Sequence, residues 1–280
     1  MAEGAKTTRI ATRFAELRSK GELGIVAYIT AGDPSLEATL RFVLALEQAG
    51  ADVIELGVPF SDPLADGPTI QRASERALKS GTTLASVLEL VRRIREASEV
   101  PLVIFSYYNP ILQLGLEKFA AEAAAAGADG VLATDLTVEE ADEYRGVMQR
   151  HGLDTIFLGA PTSTDERLEK IAAASSGFVY LISRTGVTGA KDALAAEVPE
   201  LLRRARAVTQ LPLAVGFGIS QPTHVSVLGG LADAAVVGSA LVAEIEQANS
   251  VDAAAEALRA KVRPLKEAGR RGISRREVAP

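Results

Sequence analysis

The chain has 280 residues, of which 48% are hydrophobic, with a net charge of −6, two histidines and no cysteine. That length and apolar content supply one large core and exclude extended disorder, and the acidic balance gives no reason to expect nucleic acid or an anionic membrane as partner. The missing thiols exclude disulfides, zinc-thiolate sites and cysteine nucleophiles, and His151 and His224 are too few for a histidine-rich metal site. Apolar runs are short and interrupted, so no transmembrane helix is expected. The segment Met1 to Lys6 carries no apolar signal core, and a cytoplasmic protein fits these properties.

Ile10, Phe14 and Leu17 predict an amphipathic leading helix over 7–20. Gly24 to Thr30 reads as a strand ended by Ala-Gly-Asp-Pro, and a helix follows over 35–49 with Leu36, Leu40, Val43 and Leu44 on one face. Further strands are expected near 53–58, 101–107, 129–134, 154–159, 177–183, 212–216 and 233–238, with helical segments between them. Gly50, Gly127, Gly152, Gly177 and Gly230 each fall between a helical run and a strand, a recurring joint. Ala-Gly-Ala-Asp occurs at 49–52 and again at 126–129. Eight strands each followed by a helix imply parallel strands with right-handed crossovers. The expected fold is therefore α/β, a closed (β/α)8 TIM barrel, with an open doubly wound sheet as the alternative.

Two regions exceed the minimal barrel. The second strand is followed by a Pro-rich loop and two helices, near 69–80 and 84–98, of which the first is extra. At the other end 251–268 is predicted helical, closing a single domain over 1–268. A basic tail over 269–280 is expected to fray, and Lys266, Arg270, Arg271, Arg275 and Arg276 read as solvated charges.

The most informative stretch is Asp52 to Pro68. It begins as an apolar strand and breaks at Val58-Pro59; Pro59, Pro63, Gly67 and Pro68 exclude a regular helix in the loop. Strand alternation puts Val53, Glu55 and Gly57 on one face and Ile54, Leu56 and Val58 on the other. Glu55 is therefore either a buried carboxylate in an internal ion pair or a general acid–base whose pKa is raised by apolar surroundings. Asp66 is either the residue of an Asp-Gly turn or a second functional carboxylate at the barrel mouth. Asp62 and Asp33, each before a proline, read as turn residues.

Barrel loops after the seventh and eighth strands often bind phosphate. Gly216-Phe-Gly218-Ile-Ser220 and Gly238-Ser239 lie at those positions, where bare N–H groups and a helix N-terminus favour an anion. Ser183 to Gly189, with two glycines and no proline, reads as a mobile loop over the site or as an ordinary connection. Tyr107-Tyr-Asn-Pro110 puts aromatic groups at the rim, for an aromatic substrate or another protein. His151 and His224 read as helix residues without catalytic partners.

Over roughly residues 10–250 the chain resembles the α subunits of tryptophan synthase. The resemblance rests on Glu-Leu-Gly-Val-Pro-Phe-Ser-Asp-Pro-Leu-Ala-Asp-Gly-Pro (55–68), with support from Tyr-Asn-Pro (108–110), Ser-Arg-Thr-Gly-Val-Thr-Gly (183–189), Gly-Phe-Gly-Ile (216–219) and Val-Gly-Ser-Ala (237–240). It implies cleavage of indole-3-glycerol phosphate to indole and glyceraldehyde 3-phosphate. Glu55 would be the general acid–base and Asp66 the carboxylate that holds the indole N–H. Tyr107, Tyr180, Thr188 and Phe217 would line the substrate, with Arg184 in the loop. Gly189, Gly218, Gly238 and Ser239 would bind the phosphate.

The same resemblance implies a β subunit partner in an α2β2 complex, docked on Pro59, Asp62 and Pro63 and on Asn109 and Pro110 within Asn109–Leu112. No metal and no cofactor is implied in this chain, since the pyridoxal phosphate would belong to the β subunit. Thr137 stands where proline is common in the family and Lys191 where arginine is frequent, which bears on loop rigidity rather than on the reaction. Other readings are a stand-alone lyase releasing free indole, a barrel that chiefly activates its β partner, and a phosphosugar isomerase on the same fold.

Overall fold

A computed structural model describes residues 8–182, 197–216 and 218–271. Its elements begin with α1 (Arg9–Lys20), β1 (Gly24–Thr30), α2 (Leu36–Ala49), β2 (Val53–Gly57), α3 (Pro68–Lys79), α4 (Leu84–Arg95) and β3 (Leu102–Ser106). They continue with α5 (Tyr108–Leu114), α6 (Leu116–Ala126), β4 (Gly130–Ala133), α7 (Asp142–Arg150), β5 (Asp154–Thr155), β6 (Leu158–Gly159) and α8 (Asp165–Ala174). The last are β7 (Val179–Ile182), α9 (Glu197–Val208), β8 (Leu213–Gly216), α10 (Pro222–Leu228), β9 (Ala234–Val237), α11 (Ser239–Gln247) and α12 (Val251–Arg271).

All described strand pairs are parallel, in the order β5-β4-β3-β2-β1-β9-β8-β7-β6. The two ends of this sheet are consecutive in sequence, so it closes on itself. The strand expected over 154–159 is split: its first half pairs with β4 and its second with β7. The backbone bridges the break, with Ile156 N–H donating to Val131 O (3.0 Å) and Tyr180 N–H to Phe157 O (3.2 Å). Eight staves result, one of them shared between two neighbours.

Strands buried on both faces explain the near-continuous apolar runs. The outer face of the cylinder packs on the helices, while the lower interior is filled by Val26, Val53, Val103, Leu132, Ile156, Phe178, Ala214, Ala234 and Val236. The leading helix completes this inner cluster. Thr8 caps α1 by accepting the Ala11 N–H (3.2 Å). Ile10, Phe14 and Leu17, one face at i, i+4 and i+7, plug the barrel floor, with the Phe14 and Phe178 rings 5.8 Å apart.

The repeated Ala-Gly-Ala-Asp has a physical reading beyond its glycine. Gly50 and Gly127 end α2 and α6 at φ of 104° and 96°, values that a side chain strains. The aspartate two residues on then reaches back to the preceding strand. Ile25 N–H donates to Asp52 Oδ2 and Leu102 N–H to Asp129 Oδ2, both at 2.8 Å. Asp233 does the same for Leu213 N–H at 2.8 Å. Cations pair with these carboxylates: Lys266 with buried Asp52 (2.9 Å), Arg95 with buried Asp129 (2.6 Å), and Arg206 with half-buried Asp233.

Lys266 corrects an expectation. It is 5% exposed, held between Asp52 and Glu22 (3.2 Å), rather than solvated. The helix that carries it runs to Arg271, beyond the expected 268. A second difference is α5, a helix where a rim loop is expected: Pro110 stands in its first turn, where a missing N–H breaks nothing.

Candidate active site

The strand ends of β1, β2, β3, β7 and β9 converge on one mouth of the cylinder, and Glu55 stands on its inner wall. The side chain is fully buried, and neither carboxylate oxygen has a hydrogen-bond partner among the described residues. The internal ion pair is therefore not formed by any described group. Burial pushes its pKa up from 4.5 to about 8.

Three aromatic residues wall the interior at this level. Tyr28 lies beside Glu55 across the β1–β2 register, and its ring meets Phe105 edge-on at 5.0 Å. Its hydroxyl is 3.5 Å from that of Thr30 and fills the space above Gly57, where a Cβ would sit 2.1 Å away. Tyr180 fills the corresponding space at Gly216, where a Cβ would lie 2.6 Å from its hydroxyl. Burial raises the pKa of both phenols, and nearby carboxylate charge, chiefly Asp66 for Tyr28 and Glu55 for Tyr180, raises them further, so both stay neutral.

Asp66 lies in the loop after β2. A tight turn forms there, with Leu64 N–H on Asp62 O (2.8 Å) and Asp66 N–H on Pro63 O (3.0 Å). Gln71, one turn into α3, donates to Asp66 O (2.9 Å) and holds the loop from behind. Tyr107 holds it from the front: its hydroxyl donates to Asp66 Oδ2 (3.2 Å) and accepts the Ala65 N–H (2.9 Å), while its ring lies 5.0 Å from Phe60. Burial raises the Asp66 pKa to about 6, against the hydrogen bond from Tyr107, which lowers it. Asp66 is thus both a turn residue and a half-buried carboxylate facing the mouth.

The glycine-lined side adjoins this wall. Gly218 has a φ of 75° and is exposed; Gly238 precedes α11 and Ser239 opens it. A Cβ on Gly238 would lie 3.5 Å from Tyr28 Cβ, so the start of α11 adjoins Tyr28, which is paired with Glu55 across β1 and β2. The first N–H groups of that helix have no partner within it and suit an anion. Thr188, Gly189, Arg184, Lys191 and Phe217 lie outside the described residues.

At the rim, Asp62 and Asn109 are exposed, Pro63 and Pro110 half-buried, and Pro59 buried. Leu64 and Leu112 beside them are 91% and 50% exposed. Asp33 is a turn residue with a further role: it is 2% exposed and takes a bidentate pair from Arg76, both bonds 2.8 Å. His224, within α10, accepts the Ser220 N–H at 3.4 Å. His151 falls just past α7 and pairs with Glu117 at 2.8 Å. Among the described residues no three metal-ligating side chains cluster, and no helix is long and apolar enough to cross a membrane.

Sequence reasoning passed over Tyr28, Phe60 and Phe105. Tyr28 shares a strand face with Val26 and Thr30, but only the β1–β2 register, with Val26 on Val53 and Tyr28 on Glu55, brings it to the site.

Residues 14–270 match the family model described as tryptophan synthase alpha chain. A tryptophan synthase alpha chain of Solibacter usitatus is 59% identical over 249 residues, 89% of this chain and 93% of that one. Another, from Geotalea uraniireducens, is 52% identical over 240 residues, 86% of this chain and 90% of that one. The crystal structure of tryptophan synthase subunit alpha from Legionella pneumophila superposes with a TM-score of 0.87 at 38% identity, covering 94% of this chain and 98% of that one. A tryptophan synthase structure from Mycobacterium tuberculosis gives a TM-score of 0.87 at 37% identity, covering 95% and 99%. With the match running from the floor helix through the last helix, on a barrel of the same shape, the chain belongs to the tryptophan synthase α chain family.

Proposed function

We propose that this chain performs the family's lyase reaction, cleaving indole-3-glycerol phosphate to indole and glyceraldehyde 3-phosphate, with Glu55 as general acid–base and Asp66 as the indole N–H acceptor. The observation that carries the reading is the fully buried carboxyl of Glu55, without a partner among the described residues, on the inner wall of the mouth beside which the Asp66 loop lies.

The chemistry requires two carboxyl groups in opposite protonation states. An aryl carbon leaves poorly until it is protonated. Glu55, neutral near pH 7 because its pKa is about 8, donates its proton to indole C3. The resulting indoleninium carries positive charge, and ionised Asp66, with a pKa of about 6, accepts the ring N–H and stabilises that charge. Glu55, now a carboxylate, takes the proton of the glycerol hydroxyl next to the ring. The carbon–carbon bond then breaks, its electrons return to indole, and the hydroxyl carbon becomes the aldehyde. The proton count closes on Glu55 without a cofactor in this chain.

In this reading Tyr107 and Tyr180 flank the ring and the phosphate sits on Gly218, Gly238 and Ser239; the family resemblance assigns Thr188 and Phe217 to the ring and Gly189 to the phosphate. Exposed Leu64 and Leu112 support docking of a β subunit on the adjoining rim, about Pro59, Asp62, Pro63, Asn109 and Pro110. The complex is α2β2, cytoplasmic, with pyridoxal phosphate in the β subunit. The test is release of indole from indole-3-glycerol phosphate by the purified chain, with and without a β subunit. Turnover that needs Glu55 supports the proposal; no turnover in either condition rejects it. Turnover unchanged by the β subunit favours a stand-alone lyase.

A further inference from the structure

The insert helix α3 and the phosphate-side helix α11 are fastened to each other. Ala73 of α3 and Val242 of α11 pack on Tyr28, with Ile70 and Phe105 around them. Beside this apolar contact lies a chain of charges. Arg72 gives Glu246 two bonds of 2.7 Å, and Arg76, one turn on, gives it a third of 2.8 Å. The other edge of the Arg76 guanidinium takes the buried carboxylate of Asp33, just past the end of β1. One planar cation therefore ties three elements together, which a lysine cannot do in the same geometry.

What the tied elements carry gives the cluster its meaning. The N-terminus of α3 holds Asp66 through Gln71, and the N-terminus of α11 begins at Gly238-Ser239. We propose that Arg76 is a positioning residue that sets the distance between the Asp66 end and the phosphate end of the substrate pocket, so that occupancy of one end favours occupancy of the other. This rests on the proposed function. One substrate molecule must make both contacts at once while its reacting carbon stays aligned with Glu55, and small displacements between them are expensive in rate.

The experiment uses the full chain with Arg76→Gln, Arg76→Lys and Glu246→Gln. Indole affinity is titrated with and without saturating inorganic phosphate, and cleavage is measured with the β subunit present. In the wild-type chain phosphate tightens indole binding severalfold. Arg76→Gln abolishes that coupling and lowers kcat about tenfold with little change in KM; Arg76→Lys restores part of both. A merely structural role would lower the melting temperature and leave coupling and kcat of the folded protein intact. Glu246→Gln removes the α11 anchor from the surface and carries the same test if Arg76→Gln does not fold. Coupling absent from the wild type, or retained in both Arg76→Gln and Glu246→Gln, overturns the role of Arg76. An inactive wild-type chain overturns the proposed function together with it.

Discussion

The Tyr107 hydroxyl donates to Asp66 Oδ2 at 3.2 Å while accepting the Ala65 N–H at 2.9 Å, so one phenol orients both the carboxylate and the backbone that carries it. Removing the hydroxyl frees the loop and withdraws the interaction that lowers the Asp66 pKa. Tyr107→Phe is expected to lower kcat/KM about tenfold and to move the acidic limb of its pH profile upward. An unmoved acidic limb would show that Asp66 does not control it.

The proposed mechanism pairs neutral Glu55 with ionised Asp66. Glu55 holds its proton below about 8 and Asp66 loses its proton above about 6. The profile of kcat/KM should therefore be a bell, rising through about 6 and falling through about 8. Initial rates across pH 5 to 9, at low substrate concentration, measure it. A profile flat across this window contradicts the assignment.

Glu55→Gln and Asp66→Asn should each lower indole release by about a thousandfold or more and leave the melting profile cooperative. Stability adds an independent readout for Glu55. Its folded pKa lies above the unfolded value of 4.5, so the contribution of its neutral form is complete below 4.5 and is lost as pH rises through about 8. Relative to Glu55→Gln, the wild-type chain should lose stability between pH 5 and pH 9. Urea melts at both values test this, and an unchanging difference between the two proteins counts against a buried Glu55.

Gly57 is required by what lies above it. A methyl group there would sit 2.1 Å from the Tyr28 hydroxyl and 2.5 Å from the ring carbon that bears it. Gly57→Ala should cost about 1–3 kcal/mol by overpacking and reduce activity by pushing Tyr28 toward Glu55. Tyr28→Phe leaves the ring clash and should not rescue it, whereas in a Tyr28→Ala background, itself destabilised by the cavity it opens, Gly57→Ala should cost nothing further. Chemical denaturation of the single and double variants decides between these outcomes.

The strand order and joints were legible because a parallel sheet covered on both faces leaves apolar runs, and left-handed helix ends leave glycines. Glu55 stood out as a charge inside such a run, and the motif around Asp66 carried the family resemblance. The break at Ile156-Phe157 left no mark, since two apolar residues continue the pattern and only closure of the cylinder redirects their hydrogen bonds. Lys266 was misread because its partner Asp52 is 214 residues away, which no local charge pattern reveals. The clasp of Arg76 on Asp33 and Glu246 was hidden for the same reason. Tyr28 required a register, and a register is a property of two strands.

Because residues 154–155 grip one neighbour and 158–159 the other, the barrel is a ribbon rolled until its hems meet along one short piece of chain. The handover from one neighbour to the other falls between Ile156 and Phe157. An insertion between Ile156 and Phe157 would fall between the two hems rather than inside either ladder. The wall that carries Glu55 stands on the far side of the roll, at β1 and β2, and takes no part in that seam.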